Sequence, residues 1–173
     1  MKNSIFFTFS LLLVLMISTP SFAQEDKTIR PSPPAEAKGM IDSVHVSINY
    51  SSPSVKGRQV WGSLVPYGQV WRTGANEATV FETNKALMIE GQKLPAGKYA
   101  LFSIPGEKEW TIIFNSIWNQ WGSFKYDATK DVLRIKANAE HSPVFHERML
   151  FEIKGNTIVL SWENLMVSFK AKG

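Results

Sequence analysis

The chain contains no cysteine. Disulfides, thiol nucleophiles and cysteine-based metal sites are excluded, as is the lipid attachment that a bacterial lipoprotein makes through a cysteine at its cleavage site. Histidine is scarce, at three residues. His146-Glu147 begins like a zinc-protease helix, but the second histidine is missing and the surroundings alternate like a strand. His45, His141 and His146 are read as surface or hydrogen-bonded residues, and neither a metal nor a cofactor is expected. The mature chain also lacks G-x-S-x-G, S-x-x-K and G-x-x-x-x-G-K, so the common serine nucleophiles and the phosphate loop are missing. No window of helical length shows an apolar stripe. Charge of neither sign clusters: 19 basic and 15 acidic residues are scattered to a formal +4. Without a basic stripe, nucleic-acid binding is not expected.

What is present begins with an address. Lys2 precedes an apolar run from Ile5 to Ile17, Pro20 breaks it, and Ser21-Phe22-Ala23 offers small residues where a signal peptidase reads. The run is short for a bilayer span, which needs roughly 20 residues. Residues 1–23 are therefore read as a cleaved signal peptide, leaving an exported protein, periplasmic or extracellular, with no stable membrane anchor. Residues 24–39 contain Pro31, Pro33 and Pro34 and a single branched aliphatic, Ile29. They are read as a disordered Pro-rich leader. Residues 40–173 form one domain of ordinary size.

Within that domain, period-two alternation dominates. Val44, Val46, Ile48 and Tyr50 alternate with His45, Ser47 and Asn49, and the pattern recurs at 99–104, 110–115, 132–137, 145–153, 157–163 and 165–169. Glu90-Gly91-Gln92 and Lys154-Gly155-Asn156 mark tight hairpins. Pro95-Ala96-Gly97 ahead of Tyr99 resembles the corner of Greek-key sandwiches in which a phenol bonds back to the backbone. The segment 116–130 holds one or two helical turns at most. Eight to ten short strands predict an all-β fold with little helix: an antiparallel β-sandwich or a Greek-key or jelly-roll-like barrel. Strands apolar on both faces, such as 110–114, belong in its middle.

The most informative stretch is 52–79, SPSVKGRQVWGSLVPYGQVWRTGANEAT, where aromatic bodies and charged heads alternate across glycine turns. That mixture suits a concave, ligand-facing surface on a rigid scaffold. The runs SPSVKGR, GSLVPYGQVWRTGANEAT, LPAGKYALFSIPGEKEWTIIFN, WNQWG and KDVLRIKA together resemble a bacterial family known only as domain of unknown function 2911, over about residues 50–169. The resemblance implies an exported, mostly β protein. It implies no activity, so no catalytic residue is carried over.

The candidate site is read from side-chain chemistry. Trp71-Arg72 is predicted to end a strand, Gly74 to turn with positive φ, and Glu77 to return near Arg72. The pair is either an Arg–carboxylate fork that pins the loop or, with Arg58 and Asn76, a polar cluster for an anionic or hydroxyl-rich ligand. Trp118 and Trp121, three apart, would face one way in a helical turn. With Trp61 and Trp71, and with Tyr67 nearby, they would make a flat platform for a sugar. Trp110 and Trp162 lie inside strands and are read as core. The ligand-binding set is thus Arg58, Trp61, Tyr67, Trp71, Arg72, Asn76, Glu77, Trp118 and Trp121, with a polar small molecule or glycan as partner. Two other readings stand beside it: a glycosidase-like hydrolase pairing two of Glu77, Glu82, Asp131, Glu147 and Glu163, and a protein-interaction module. The address is checked directly: N-terminal sequencing of the exported protein is expected to begin at Gln24, and a start at Met1 refutes cleavage.

Overall fold

The described residues form nine strands, β1 Pro34–Ile41, β2 Val44–Ser51, β3 Thr79–Thr83, β4 Leu87–Ile89, β5 Gln92–Leu94, β6 Gly97–Ile104, β7 Glu109–Asn115, β8 Asp131–Lys154 and β9 Thr157–Lys172, and the alternating segments fall in β2, β6, β7, β8 and β9. The computed structural model describes residues 26–173, and the signal peptide expected over 1–23 lies outside them. All strand pairings are antiparallel, in the order β1-β2-β3-β6-β7-β8-β9-β4-β5. Helix is confined, among the described residues, to two 3-10 turns, Lys27–Ile29 and Ala128–Lys130. Each follows an aspartate, Asp26 or Asp127, whose side chain accepts the N–H of the second turn residue. The fold is all-β, as the alternation predicts.

Two features turn one sheet into two layers. β3 and β6 are neighbours, yet the β4–β5 hairpin between them crosses to pair with β9 at the far end of the order. β8 runs for 24 residues, its start paired with β7 and its remainder with β9, with register shifts between His141 and Leu150. Pro143, which has no N–H for the ladder, sits in that irregular stretch. The expected break between 132–137 and 145–153 is therefore a bend within one strand. β9 likewise continues through the expected break near residue 164, with Glu163 at φ 56° absorbing the change. Ring contacts between strands that are not neighbours in the order show the layers meeting. Phe114 of β7 packs edge-on against Phe169 of β9, and Tyr50 of β2 against Phe151 of β8, at ring centroid distances of 6.2 and 5.1 Å.

The core lies between the layers, with Ile48, Phe81, Leu101, Trp110 and Phe114 among its most buried members. β6 and β7 are apolar on both faces because they sit mid-order. Their second faces, Ala100, Phe102 and Ile113, join Ala78 in a smaller cluster covered by Val70 and Tyr126. The expected tyrosine corner is formed: Tyr99 donates its hydroxyl to the Pro95 carbonyl at 2.9 Å.

One boundary is corrected. Part of the segment read as disordered leader is β1, which pairs with β2 from Pro34↔Ser51 to Ile41↔Val44. Its poverty in large apolar residues reflects close packing. A Cβ on Gly39 would stand 3.0 Å from the Ile153 side chain, so any side chain there would press Ile153 of β8 aside. Residues 26–33 also lie against the body, as described below.

Tyr99→Phe is expected to lower stability by about 1 kcal/mol, the net worth of one buried hydrogen bond. Trp110→Ala is expected to lower it by about 3–5 kcal/mol, since the side chain is wholly enclosed. Urea denaturation followed by circular dichroism measures both.

Candidate functional site

Residues 52–78 link β2 to β3 without a named strand, so their position is fixed by other means. Backbone bonds stitch the segment to the body: Val55 N–H to Glu147 O and Met149 N–H to Pro53 O tie it to β8, and Trp71 and Ser103 exchange two bonds at 2.8 and 2.9 Å on β6. Two indoles then anchor it from within. Trp61 meets Trp110 and Trp162 edge-on at centroid distances of 5.1 and 5.6 Å. Trp71 stacks on Trp162 at 6.0 Å with the planes 17° apart. Edge-to-face and offset pairs satisfy the quadrupoles of the rings while burying large apolar area. Trp71 donates its N–H to Gly74 O at 3.1 Å, whereas the buried N–H groups of Trp61, Trp110 and Trp162 have no acceptor among the described residues.

The turn after Trp71 differs from the expected one. Gly74 does not take positive φ; Thr73 and Asn76 do, at 51° and 56°. Glycine is needed at 74 for proximity, because a Cβ there would lie 2.9 Å from Thr79 Oγ1 and 3.2 Å from Ser51 O. A left-handed β-branched residue is strained, by about 1–3 kcal/mol. Thr73 is held nonetheless: its hydroxyl bonds to Ser103 Oγ at 2.9 Å and its carbonyl accepts from Thr79 Oγ1 at 2.8 Å.

Beside this turn lies a cavity of about 300 Å³. Its wall includes Arg58, Arg72 and Asn76 together with Leu64, Trp71 and Trp162, and it contains no carboxylate. Arg58 spends two of its N–H groups on backbone carbonyls, Nε to Val55 O and Nη2 to Ser54 O. Arg72 is half-buried, and its Nε is enclosed without an acceptor. It makes no ion pair among the described residues, and burial lowers its pKa. The expected Arg72–Glu77 fork is not formed. Glu77 lines a different hollow and binds Lys27 at 2.8 Å and Arg30 at 3.1 Å.

Those partners belong to a strap, residues 26–33. Arg30 also lies 6.0 Å over the Trp121 ring, Asn76 Nδ2 donates to Ser32 O at 3.0 Å, and Ser52 N–H donates to Pro33 O at 2.9 Å. Ser32 thereby becomes part of the cavity wall.

The structure thus brings together four of the nine candidates, Arg58, Trp71, Arg72 and Asn76. Trp61 packs behind Trp71. Tyr67 lies outside, over Gly62, where an added Cβ would come 3.0 Å from its ring. Glu77 and Trp121 hold the strap. Trp118 is exposed, with the Lys98 ammonium 5.4 Å over its ring. The expected platform of four indoles does not exist, because Trp61 and Trp71 turn inward while Trp118 and Trp121 remain on the surface. Sequence reasoning missed Ser32, Leu64 and Trp162 as wall residues. Trp162, at 1% exposure, was assigned to the core alone, and it serves both.

The carboxylates considered for hydrolysis do not converge there either. Glu82 pairs with Lys98, Asp131 with Arg134, and Glu147 accepts the Lys56 N–H. Glu77 and Glu163 are likewise absent from the wall. Among the described residues no three His, Asp or Glu side chains gather as a metal would require. Burial alone would raise the Glu77 carboxyl. Hydrogen bonds from Lys27, from its own backbone N–H and from Arg30, with the Lys27 charge, outweigh that and bring it down to about 2. A carboxyl so low stays ionised and suits a structural anchor better than a general acid.

A family model described as "Protein of unknown function (DUF2911)" matches residues 32–171. No curated protein and no solved structure matches the chain.

The strap is tested through Glu77. Its pKa is near 4.5 when unfolded and about 2 when folded, so its stabilisation is full above pH 4.5 and is lost as pH falls toward 2. With the side chain 38% exposed, solvent screening keeps the effect small. The stability difference between wild type and Glu77→Gln, from urea midpoints, is expected to shrink across that window. At neutral pH the variant is expected to be cut faster by trypsin after Lys27, read by mass spectrometry.

Proposed function

The chain belongs to the DUF2911 family, whose description names no activity, and from its own geometry we propose a binding domain, working outside the cytoplasm after export, for a polar small molecule that carries negative charge. One observation supports this above the others. Arg72 is a half-buried guanidinium with an enclosed Nε and no counter-charge among the described residues, beside a cavity whose wall holds a second guanidinium and no acid. An unpaired, partly desolvated charge is costly, and a protein that keeps one in a hollow supplies it with a partner from solution. The rigid setting agrees with such a role. The stitched segment, the indole anchors and the strained turn hold Arg72 in place before any ligand arrives, which lowers the ordering cost of binding. The volume, about 300 Å³, lies at the small end of ligand sites.

Negative charge is favoured over a neutral glycan by the same features. A neutral sugar would leave the Arg72 charge without a partner, and the four-indole platform that would suit its C–H face does not form. A hydrolytic role lacks support for want of a carboxylate in the wall.

Calorimetric titration of the mature protein with sulfate, acetate and benzoate, against glucose and N-acetylglucosamine, tests the reading. Binding of at least one anion is expected. Arg72→Gln is expected to weaken it by about 1.5–3 kcal/mol, the worth of a charged hydrogen bond, while circular dichroism stays unchanged. Silence toward all three anions, or undiminished affinity in the variant, rejects the site.

A further inference from the structure

The charged groups account for only part of this wall. Pro53, Leu64, Val65, Trp71 and Trp162 supply the rest of its side chains apart from Ser32, Ala75 and Asn76. A bare inorganic anion would satisfy Arg72 and leave the two of these that are not buried, Leu64 and Trp71, facing water. Leu64 is 43% exposed although it lies in a segment pinned on both sides, so its side chain is not absorbed by the core. Trp71 stacks one face on the buried Trp162, and the indole cluster fixes both, so this side of the hollow is preformed. The balance of charge is also specific. Arg58 already spends two donors on Ser54 and Val55 carbonyls, whereas the Arg72 guanidinium, its Nε enclosed, makes no hydrogen bond to a described residue. One free fork matches one planar carboxylate, which accepts two parallel N–H bonds from it.

We infer that the ligand is a small organic monocarboxylate with an apolar body: the carboxylate meets Arg72, and the body lies against Trp71 and Leu64. The inference rests on the anion-binding reading above and narrows it to a chemical class. Apolar area removed from water then adds to the charged contact, so neither half of the ligand alone reaches the affinity of the whole.

The test separates the two halves. Benzoate carries both, acetate the charge alone and benzyl alcohol the ring alone, each titrated into the mature protein by calorimetry with tryptophan fluorescence as a second readout. Benzoate is expected to bind tighter than either by about tenfold or more. Leu64→Ser, at an exposed position where folding is not at stake, is expected to weaken benzoate several-fold and leave acetate unchanged. Arg72→Gln is expected to weaken benzoate and acetate alike. Equal affinity for benzoate and acetate, or indifference of benzoate to Leu64→Ser, overturns the apolar body while the anion site stands. Benzyl alcohol binding as tightly as benzoate, with no loss on Arg72→Gln, overturns the carboxylate. Binding of none of the three overturns this inference, and silence toward sulfate as well fells the anion site with it.

Discussion

Four indoles hold this molecule together at the point where its parts meet. Trp110 comes from β7 and Trp162 from β9, and Trp61 and Trp71 come from the long connection between β2 and β3. Each ring buries on the order of 200 Å². The connection has few ladder bonds of its own, so this cluster and a handful of backbone bonds decide where it lies. Arg58, Arg72 and Asn76 inherit their positions from it. A site on such a segment has the reach of a loop and the precision of a scaffold.

Electrostatics then distinguishes the charged residues by what each one touches. Exposed pairs such as Lys136–Glu109 and Lys154–Glu152 sit in water and contribute little. Glu77 is met by two cations of the strap, and Arg58 is forked onto backbone carbonyls. Arg72 alone among the wall's charged groups has nothing of this kind. The strap matters for the same hollow in a second way: by giving Asn76 the Ser32 carbonyl, it completes the wall and braces a residue held in the left-handed region.

Much of the architecture was legible because alternation reports burial directly. The strands around Val46, Leu101 and Ile112, the two-faced character of β7 and the phenol of Tyr99 bonded to Pro95 could all be read from residue type and spacing. The first strand was not, since Ala35, Ala37 and Gly39 look like linker residues until Ile153 is seen against them. Nor could two bent strands be told from four short ones, because a bulge near Pro143 interrupts the pattern just as a turn does. At the candidate site, the sequence pointed to a stretch from which Arg58, Trp71, Arg72 and Asn76 do line one cavity. It misassigned partners. Proximity along the chain suggested Glu77 for Arg72, whereas the left-handed step at Asn76 separates them and a segment some fifty residues upstream takes the carboxylate. Indoles three apart suggested a platform, but whether a ring faces inward depends on contacts far away in sequence.

The unbroken course of β8 has a mechanical consequence. Because one strand pairs with β7 along its first part and with β9 along the rest, continuous backbone joins the two layers, and displacement of one part is carried to the other. The body therefore opens as a single unit, and amides on the two sides share one slow exchange limit.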